Sequence, residues 1–395
     1  MISQKKIAEV LGMPLSTVSN ILNGTPYYKK ETRERVLKAA MDLGYQRNRA
    51  SLAVKRGRSN LIGVVHFGSS YHTAQEAIYS LVQTISRHGY HYTVIDQRWH
   101  AGNIKEMLDE LIGSRVEGVI VIGSGGFGET FTPESLERLK REGIPVVSLY
   151  GDDYSEMPLV GDGARASFYS MTRHLHSVGH RSIILPVVRG SHRSTQGRVD
   201  GFRTAMMGCG EFKIFDEDTF SKEWPRMRRT LRGEKVGVVL ELEPKRYGDD
   251  VLTANYQIAR RLLASGILPD ALMCANDRAA SGVFDALYEA GKRVPGDVAV
   301  TGADDSEVSK LLVYRLTTVR MNIARSAEAT IEILMRCIRG EPLSELETFF
   351  PAQLVLRRSC GRLENGEDGG EAVVPVELPP ECPKPIRKLR RRVIT

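Results

Sequence analysis

Apolar residues in the first 45 positions recur at the spacing of three short amphipathic helices. The first helix is predicted to begin after Ser3, whose hydroxyl suits an N-cap, and to end at Gly12. The second covers about 15–22 and the third about 31–43. Two helices joined by a short glycine-containing turn, with a third in support, form a helix-turn-helix domain. The residues predicted to face its core are Ile7, Ala8, Leu11, Val18, Ile21, Leu22, Val36, Leu37, Ala40 and Leu43.

From Leu61 onwards, continuous Val/Ile-rich runs alternate with amphipathic helices. Such alternation is typical of parallel sheets covered on both faces, and about 300 residues are too many for one sheet of this kind. We therefore predict two doubly wound lobes with a cleft between them. The predicted strands are 61–66, 91–95, 117–122, 144–149, 181–187, 236–240, 270–275 and 297–301, and a last strand at 348–356. The predicted helices include 74–88, 133–142, 164–178, 254–265, 278–290 and 323–339.

Charge is distributed unevenly along the 395 residues, which carry a net charge of +7. Residues 1–60, the head, contain twelve Lys or Arg and four Asp or Glu, whereas residues 61–363, the body, are close to neutral. A basic head on a neutral body is the electrostatic pattern of a nucleic-acid binder. The end of the chain is acidic over 364–383 and basic over 384–395.

The composition also limits the class of protein. No apolar run reaches the roughly 20 residues that a membrane-spanning helix needs, and the N-terminus lacks the apolar stretch of a signal peptide. Five cysteines without a CxxC pair fit a reducing compartment, so we expect a cytoplasmic protein.

Four segments are predicted from these patterns. Residues 1–46 form the helix-turn-helix domain, 47–60 a short basic helix and linker, and 61–361 the two-lobed α/β body. Residues 362–395, rich in Gly, Pro and Glu before the basic end, are predicted to be disordered.

The order of short motifs resembles that of the lactose-repressor (LacI/GalR) family of bacterial transcription factors over residues 3 to about 361. In the head the resemblance rests on Ile7-Ala8, Leu11-Gly12, Ser16-Thr17-Val18-Ser19, Leu22-Asn23-Gly24 and Leu43-Gly44-Tyr45. In the body it rests on Leu61-Ile62-Gly63-Val64, Gly179-His180-Arg181, Arg198-x-x-Gly201-Phe202, Ala275-Asn276-Asp277, Gly302-x-Asp304-Asp305 and Leu316-Thr317-Thr318. The resemblance implies a body like that of periplasmic sugar-binding proteins.

In the head, the resemblance makes the second helix a recognition helix that enters the major groove. Leu15, Ser16 and Asn20 stand at the base-reading positions, and Thr17 and Ser19 at positions that bind phosphates. Helix capping or solvation would also account for Thr17 and Ser19. The family often has Arg where this chain has Asn20, and Asn pairs with adenine whereas Arg suits guanine. We therefore expect an altered operator preference.

The segment from Asn48 to Arg56 resembles the family's hinge helix, which inserts an apolar wedge into the minor groove. Val54 stands where the family usually has the wedge Leu, and Leu52 replaces a frequent Arg. Three interpretations remain open. Val54 kinks the DNA duplex less sharply than Leu would, or Leu52 acts as the wedge, or the stretch is only a linker. The resemblance implies DNA contacts for Asn48, Arg49, Leu52, Ala53 and Val54.

In the body, the resemblance implies a small-molecule effector in the cleft, a sugar or a related metabolite. Its implied contacts are Tyr71, Thr73, Arg198, which we place at the start of a helix, Asn276 and Asp304. Asn and Asp suit hydroxyl groups, and Arg suits hydroxyls or an anion. Each could instead be a polar residue of a lobe interface.

Two departures from the family leave the effector open. The turn Tyr71-His72-Thr73-Ala74 replaces a common Asn-Pro-Phe-Phe type, and Tyr150 replaces an Asp. Residues 209–250 cannot be aligned with the family. They include Trp224, which could stack on a sugar or pack in the core.

Two further signals carry little weight. Gly123 to Gly128 fits GxGxxG, but no helix follows directly, as a dinucleotide site requires. His174, His176 and His180 have no flanking carboxylate. We therefore expect no cofactor, no metal and no catalytic residue.

Together these patterns predict a DNA-binding transcriptional regulator, most often a repressor in such families, that is not an enzyme. Its expected partners are double-stranded operator DNA, a small-molecule effector and a second copy of the chain. No C-terminal leucine heptad is present, which favours a dimer. A solute-binding protein of a transport system is the main alternative, and it would need a signal peptide and no basic head. An NAD-dependent enzyme is the third interpretation.

Overall fold

The computed structural model of the protein describes residues 2–25, 27–45, 58–66, 72–96, 103–123, 132–151, 157–188, 193–230, 234–243, 250–311, 315–361 and 371–380. The chain forms two compact units, which comprise residues 1–59 and 60–395. Most of the hinge helix and linker predicted at 47–60, namely residues 47–57, lies outside the described residues.

The first unit, here called the head, contains the three predicted helices: α1 (Gln4–Leu11), α2 (Leu15–Leu22) and α3 (Lys30–Asp42). The hydroxyl of Ser3 accepts a hydrogen bond from the backbone N–H of Lys6 at 3.2 Å, which caps α1 as predicted. Gly12 has φ +62°, a conformation that glycine adopts without strain, and it ends the helix there. The turn between α1 and α2 is therefore three residues long.

The head is built around an apolar core to which all three helices contribute. Its fully or nearly buried members are Ile7, Ala8, Val18, Ile21, Leu22, Val36 and Ala40, and Leu11 and Leu43 pack against them. The prediction for Leu37 is wrong, because this side chain is 43% exposed. Leu37 follows Val36 directly, and a neighbouring position on a helix points about 100° away.

The body begins with a lobe of alternating strands and helices, here called lobe 1. Its sheet runs β5-β4-β3-β1-β2 with parallel strands, and helices cover both faces. The elements are β1 (Leu61–His66), α4 (His72–Arg87), β2 (His91–Asp96), α5 (Ile104–Gly113), β3 (Gly118–Ile122), α6 (Pro133–Arg141), β4 (Val146–Leu149) and β5 (Leu159–Gly161).

The chain then enters lobe 2, which repeats the arrangement. Its parallel sheet runs β10-β9-β6-β8-β7. The elements are α7 (Ala164–Ser177), β6 (Ser182–Val188), α8 (Arg193–Met206), β7 (Glu211–Asp216), α9 (Glu217–Thr230), β8 (Val236–Leu242), α10 (Val251–Ala264), β9 (Ala271–Met273), α11 (Asp277–Glu289), β10 (Ala299–Thr301) and α12 (Glu307–Lys310). The two doubly wound parallel sheets confirm the predicted fold class.

Three connections join the lobes. The first leads from β5 to α7. The second leads from β11 (Thr318–Arg320) to α13 (Ile323–Ile338). Helix α13 packs on the sheet of lobe 1. The third leads from β12 (Glu347–Phe349), parallel to β5, to β13 (Gln353–Leu356), antiparallel to β11. The single strand predicted at 348–356 is thus two strands in different sheets. Pro351 lies between them, and proline cannot donate a ladder hydrogen bond.

The C-terminal segment corrects a third prediction. Residues 371–380 are ordered rather than disordered, and they include β14 (Ala372–Pro375), which pairs antiparallel with β13. A short 3-10 helix, Arg358–Cys360, precedes this segment. The hydroxyl of Ser170 bonds both the backbone N–H and the C=O of Glu377, and Val376 is buried in the core of lobe 2. Residues 362–370 and 381–395 lie outside the described residues.

Candidate functional site

The outer side of α2 carries the residues predicted to read DNA bases. Leu15 is 48% exposed, and Ser16 and Asn20 are also exposed. Thr17 and Ser19 are half-buried beside them, while the apolar side of the helix faces the core. The five residues therefore lie on or beside the exposed face of one helix, as a recognition helix requires.

The N-terminus of α2 offers backbone donors. Pro14 precedes the helix and supplies no side-chain cap, so the first N–H groups of α2 have no side-chain acceptor there. Such groups, together with the helix dipole, favour an anion such as a phosphate. Thr17 lies in this first turn, where its hydroxyl can join them.

Two side-chain hydrogen bonds fix polar groups of α2. The amide nitrogen of Asn20 donates to the Tyr28 hydroxyl at 3.1 Å, and the amide nitrogen of Asn23 donates to the Ser19 hydroxyl at 3.3 Å. The Ser19 O–H remains available as a donor. The hinge residues Asn48, Arg49, Leu52, Ala53 and Val54, and Tyr71 of the body, lie outside the described residues.

In lobe 2, two predicted effector residues follow neighbouring strands. Asn276 comes after β9 and Asp304 after β10, and these strands pair in parallel. The carboxyl ends of parallel strands form the edge at which ligands bind in such sheets. Asn276 is also the N-cap of α11, because its side-chain oxygen accepts from the Ala279 N–H at 2.8 Å.

A buried carboxylate that the sequence did not single out lies beneath this edge. Asp277 is 1% exposed and accepts hydrogen bonds from the Ser306 N–H at 2.8 Å, the Ser306 hydroxyl at 2.9 Å and the Thr318 hydroxyl at 2.5 Å. Burial, followed by the charge of Asp304, raises the pKa of Asp277 to about 8. Its place within the motif Ala275-Asn276-Asp277 was the available signal.

The turn that carries Asp304 has an unusual backbone. Asp304 has φ +112° and Asp305 has φ +50°, a region that side chains other than glycine rarely adopt. At Gly302 a Cβ would collide with the Asp277 carboxylate, which explains why glycine stands in the motif. Strained backbone of this kind persists where the surroundings fix it, which is common at ligand sites.

Tyr150 connects the two lobes electrostatically. It follows β4 in lobe 1 with φ +61°. Burial raises the pKa of Tyr150, Ser326 partly offsets this, and the charges of Asp162, Glu76 and Asp304 raise it further. Because Asp304 belongs to lobe 2, the carboxyl edges of both sheets contribute charge to the same region.

Arg198 lies in the interior of α8, not at its start as predicted, because the helix already begins at Arg193. Its guanidinium stacks over the Phe168 ring at 5.7 Å, and its buried Nε has no hydrogen-bond partner among the described residues. Arg165 on the adjacent α7 also has buried donors, Nε and Nη2, for which the described part of the chain supplies no acceptor. A ligand oxygen could accept from such groups.

The remaining predicted features fall elsewhere. Thr73 is half-buried at the start of α4 in lobe 1. Trp224 is 5% exposed and packs against Phe220 with ring centroids 5.2 Å apart, so it is a core residue. Among the described residues, no cluster of three His, Cys, Asp or Glu could hold a metal ion. The described helices include none that is long and apolar enough to cross a bilayer. Most of the GxGxxG motif lies outside the described ranges.

Comparisons with known proteins agree with this arrangement. Residues 5–48 match the family described as bacterial regulatory proteins, lacI family. Residues 63–231 match periplasmic binding proteins and sugar binding domain of LacI family, and residues 172–360 match a periplasmic binding protein-like domain. The chain belongs to the LacI family. LacI-family proteins are DNA-binding transcriptional regulators and not enzymes, so the interpretations as a transport protein or a dehydrogenase are set aside.

Relatives within the LacI family cover nearly the whole chain. The HTH-type transcriptional repressor PurR of Haemophilus influenzae (strain KW20 / Rd) is 28% identical over 359 residues, which are 90% of this chain and 97% of that protein. PurR of Pasteurella multocida (strain Pm70) is 26% identical over 359 residues, with the same coverage.

Solved structures show the same fold. The lac repressor dimer bound to operator and the anti-inducer ONPF has a TM-score of 0.74 at 22% identity, covering 91% of this chain and 99% of that one. The regulator CelR in complex with cellobiose has a TM-score of 0.59 at 21% identity, covering 91% and 100%.

Proposed function

We propose that this LacI-family regulator binds operator DNA as a homodimer in the cytoplasm, and that a small hydroxyl-rich metabolite bound between the lobes controls its affinity for that DNA. DNA binding is assigned to the head and effector binding to the cleft of the body. The observation that carries the proposal is the exposed polar face of α2 above the buried core of the head.

Base reading is assigned to Leu15, Ser16 and Asn20. Their exposure supports this assignment, because it leaves two hydrogen-bonding side chains and one apolar side chain open to base edges in a major groove. Thr17, Ser19 and the first backbone N–H groups of α2, which Pro14 does not cap, are assigned to phosphates, which fix the register of the head on DNA.

A dimer follows from the geometry of recognition. One head covers a single half-site, and two heads related by two-fold symmetry read a palindrome with half-sites about one helical turn or a multiple of it apart. The sequence of the hinge, with Asn48, Arg49, Leu52, Ala53 and Val54, supports insertion at the centre of such a site. The lac repressor, which has the same fold, is described as a dimer bound to its operator.

Effector binding is assigned to Asn276 and Asp304 on lobe 2, to Arg198 on α8, and to Tyr71 and Thr73 on lobe 1. The carboxylate of Asp304 can accept hydrogen bonds from ligand hydroxyls. The Nε of Arg198, which has no partner among the described residues, can donate to them. CelR, a structural neighbour, is described in complex with cellobiose, and another LacI-family regulator, from Enterococcus faecium, with bound ribose. A sugar or a related metabolite therefore suits this cleft.

Selection of bound DNA from a random duplex pool tests the proposal. The full chain is expected to enrich a palindrome with a flexible step at its centre. The variant L15A/S16A/N20A should lose the enriched consensus, whereas Met41→Ala, which changes an 80% exposed residue of α3, should retain it. An asymmetric or absent consensus with the full chain would overturn the proposal.

A further inference from the structure

Asn20, the proposed base reader near the end of α2, is held by a residue from outside that helix. Its amide nitrogen donates to the hydroxyl of Tyr28 at 3.1 Å. Tyr28 lies in the loop between α2 and α3, and its ring packs, partly buried, against the apolar core of the head. The exposed amide of Asn20 is thus hydrogen-bonded to Tyr28, whose ring is held by packing against the core of the head.

We infer that Tyr28 is a positioning residue that sets the base preference of Asn20 toward adenine. The inference rests on the proposed function, since it concerns how the same helix reads DNA. It adds a residue outside the recognition helix to the determinants of the operator sequence.

The hydrogen-bonding capacity of the amide explains the effect. Asn has two N–H donors and one acceptor oxygen, and the bond to Tyr28 uses one donor. The remaining N–H and the oxygen match N7 and the N6 amino group of adenine. Guanine presents two acceptors, N7 and O6, so the same amide would leave its oxygen facing an acceptor.

Fixing the amide also changes its entropy. An exposed Asn side chain samples several rotamers, and ordering it on DNA reduces the affinity gained from the contact. The Tyr28 ring is partly buried and therefore keeps its hydroxyl at one place beside α2. Preorganisation of this kind favours the correct base more than it favours binding to any DNA.

The neighbouring tyrosine provides a matched control. Tyr27 is 91% exposed and forms no hydrogen bond among the described residues of the head. Tyr27→Phe and Tyr28→Phe remove the same hydroxyl from adjacent positions, and both keep the aromatic ring. Because the ring of Tyr28 supplies its packing, Tyr28→Phe is expected to fold.

The experiment uses the full chain and DNA selected from a random pool. Comparing the consensus of the wild type with that of Asn20→Ala identifies the base pair that Asn20 reads. Dissociation constants are then measured by fluorescence anisotropy, at one salt concentration, for the consensus duplex and for a duplex with guanine in place of the adenine. The proteins are the wild type, Y27F, Y28F, N20A and Y28F/N20A.

The wild type is expected to prefer the adenine duplex by about 5-fold to 150-fold, the range for a good bidentate contact. Y28F should reduce this ratio by about 3-fold to 10-fold, the equivalent of one neutral hydrogen bond. Y27F should keep the wild-type ratio, and Y28F/N20A should equal N20A, because the tyrosine acts through the amide.

Two results would overturn the inference while leaving the proposed function intact. In one, Y28F keeps the wild-type ratio; in the other, it weakens both duplexes equally, as loss of a purely structural bond would. If the wild type enriches no consensus, the proposed function itself fails, and the inference fails with it.

Discussion

The guanidinium of Arg357 and the carboxylate of Asp305 meet inside lobe 2, with Nη2 and Oδ1 2.6 Å apart and side chains only 3% and 5% exposed. Arg357 also donates to the Ser309 hydroxyl at 3.0 Å and to the Leu316 carbonyl at 2.9 Å. Asp305 directly follows Asp304, the proposed effector contact. The buried pair therefore fixes the strained turn that carries this proposed contact.

Replacing Arg357 with Met should destabilise the body by about 3 kcal/mol, because breaking a buried pair leaves a carboxylate with fewer donors. Urea unfolding measures the change. Lys310→Met is the control, since it breaks an exposed pair with Glu307 and should cost less than about 1 kcal/mol. Equal stability of the two variants would contradict the importance of the buried pair.

The C-terminal segment reinforces the same turn. Glu371, which precedes β14, accepts from Arg357 at 2.8 Å and from Arg320 at 3.0 Å. Glu371→Gln should cost about 1 kcal/mol, a modest value because the side chain is 38% exposed. Glu377→Gln, at a 63% exposed ion pair with Arg173, should cost less than about 0.5 kcal/mol.

Deleting residues 362–395 should lower the melting temperature further than Glu371→Gln does. The deletion removes the pairing of β14 with β13 and the buried Val376 in addition to the ion pairs. A deletion variant as stable as the full chain would show that the segment is only an appendage.

Stability should depend on pH through Asp277. Its folded-state pKa is raised to about 8, so between about pH 4 and pH 8 the folded protein holds a proton that the unfolded chain has lost. Its contribution to stability is therefore complete below about pH 4 and declines as pH rises towards 8, by at most about 1.4 kcal/mol per pH unit.

Asp277→Asn removes the titrating carboxyl group. The free energy of unfolding of this variant should therefore decline less steeply between about pH 4 and pH 8. Urea unfolding of both proteins at pH 5, 6, 7 and 8 gives the two slopes. Parallel slopes would mean that Asp277 is ionised throughout that range.

Asp305 and Glu371 contribute a pH dependence of stability that is opposite in sign to that of Asp277. Burial alone would raise the pKa of each, but the hydrogen bonds from Arg357 and Arg320 outweigh it and lower both values. Their contribution is present above the unfolded pKa values, near 4, and is lost as pH falls through the lowered folded values. Arg357→Met should therefore lose less stability on acidification to pH 3 than the wild type loses.

Val54 and Leu52 differ in what they should do to operator DNA. If Val54 is the wedge, Val54→Leu should increase the bend of the operator, because the longer side chain separates the central base step further. Energy transfer between dyes at the two duplex ends measures the bend. If Leu52→Ala abolishes the bend and Val54→Leu leaves it unchanged, Leu52 is the wedge.

The sequence predicted the elements whose signals are local. The cap at Ser3, the glycine stop at Gly12 and the Val/Ile-rich central strands all depend on nearby residues, and all are present. The edge strand β7 was missed because none of its residues is fully buried and it lacks a continuous apolar run. The three-residue strand β5 was also missed, although the equally short β9 and β10 were predicted. The polar start of α8, from Arg193, gave no apolar periodicity, which misplaced Arg198.

The order of the C-terminal segment could not be predicted from its composition. Its Glu and Pro content indicates disorder. The strand forms through tertiary partners outside the segment, namely β13 for pairing and Arg320 and Arg357 for Glu371. The same holds for Asn20, whose tie to Tyr28 depends on how the loop after α2 folds back.

Control of the head's affinity for operator DNA by a small molecule in the cleft is the central proposal. Its most direct test is the affinity of the full chain for its selected operator, measured during titration with sugars and other small hydroxyl-rich metabolites. At least one compound is expected to change the dissociation constant for the operator by about 5-fold to 150-fold, a typical allosteric coupling. Asp304→Gly is expected to abolish this response. If none of the compounds that bind the body changes operator affinity, or if Asp304→Gly responds as the wild type does, control by a small molecule in the cleft is contradicted.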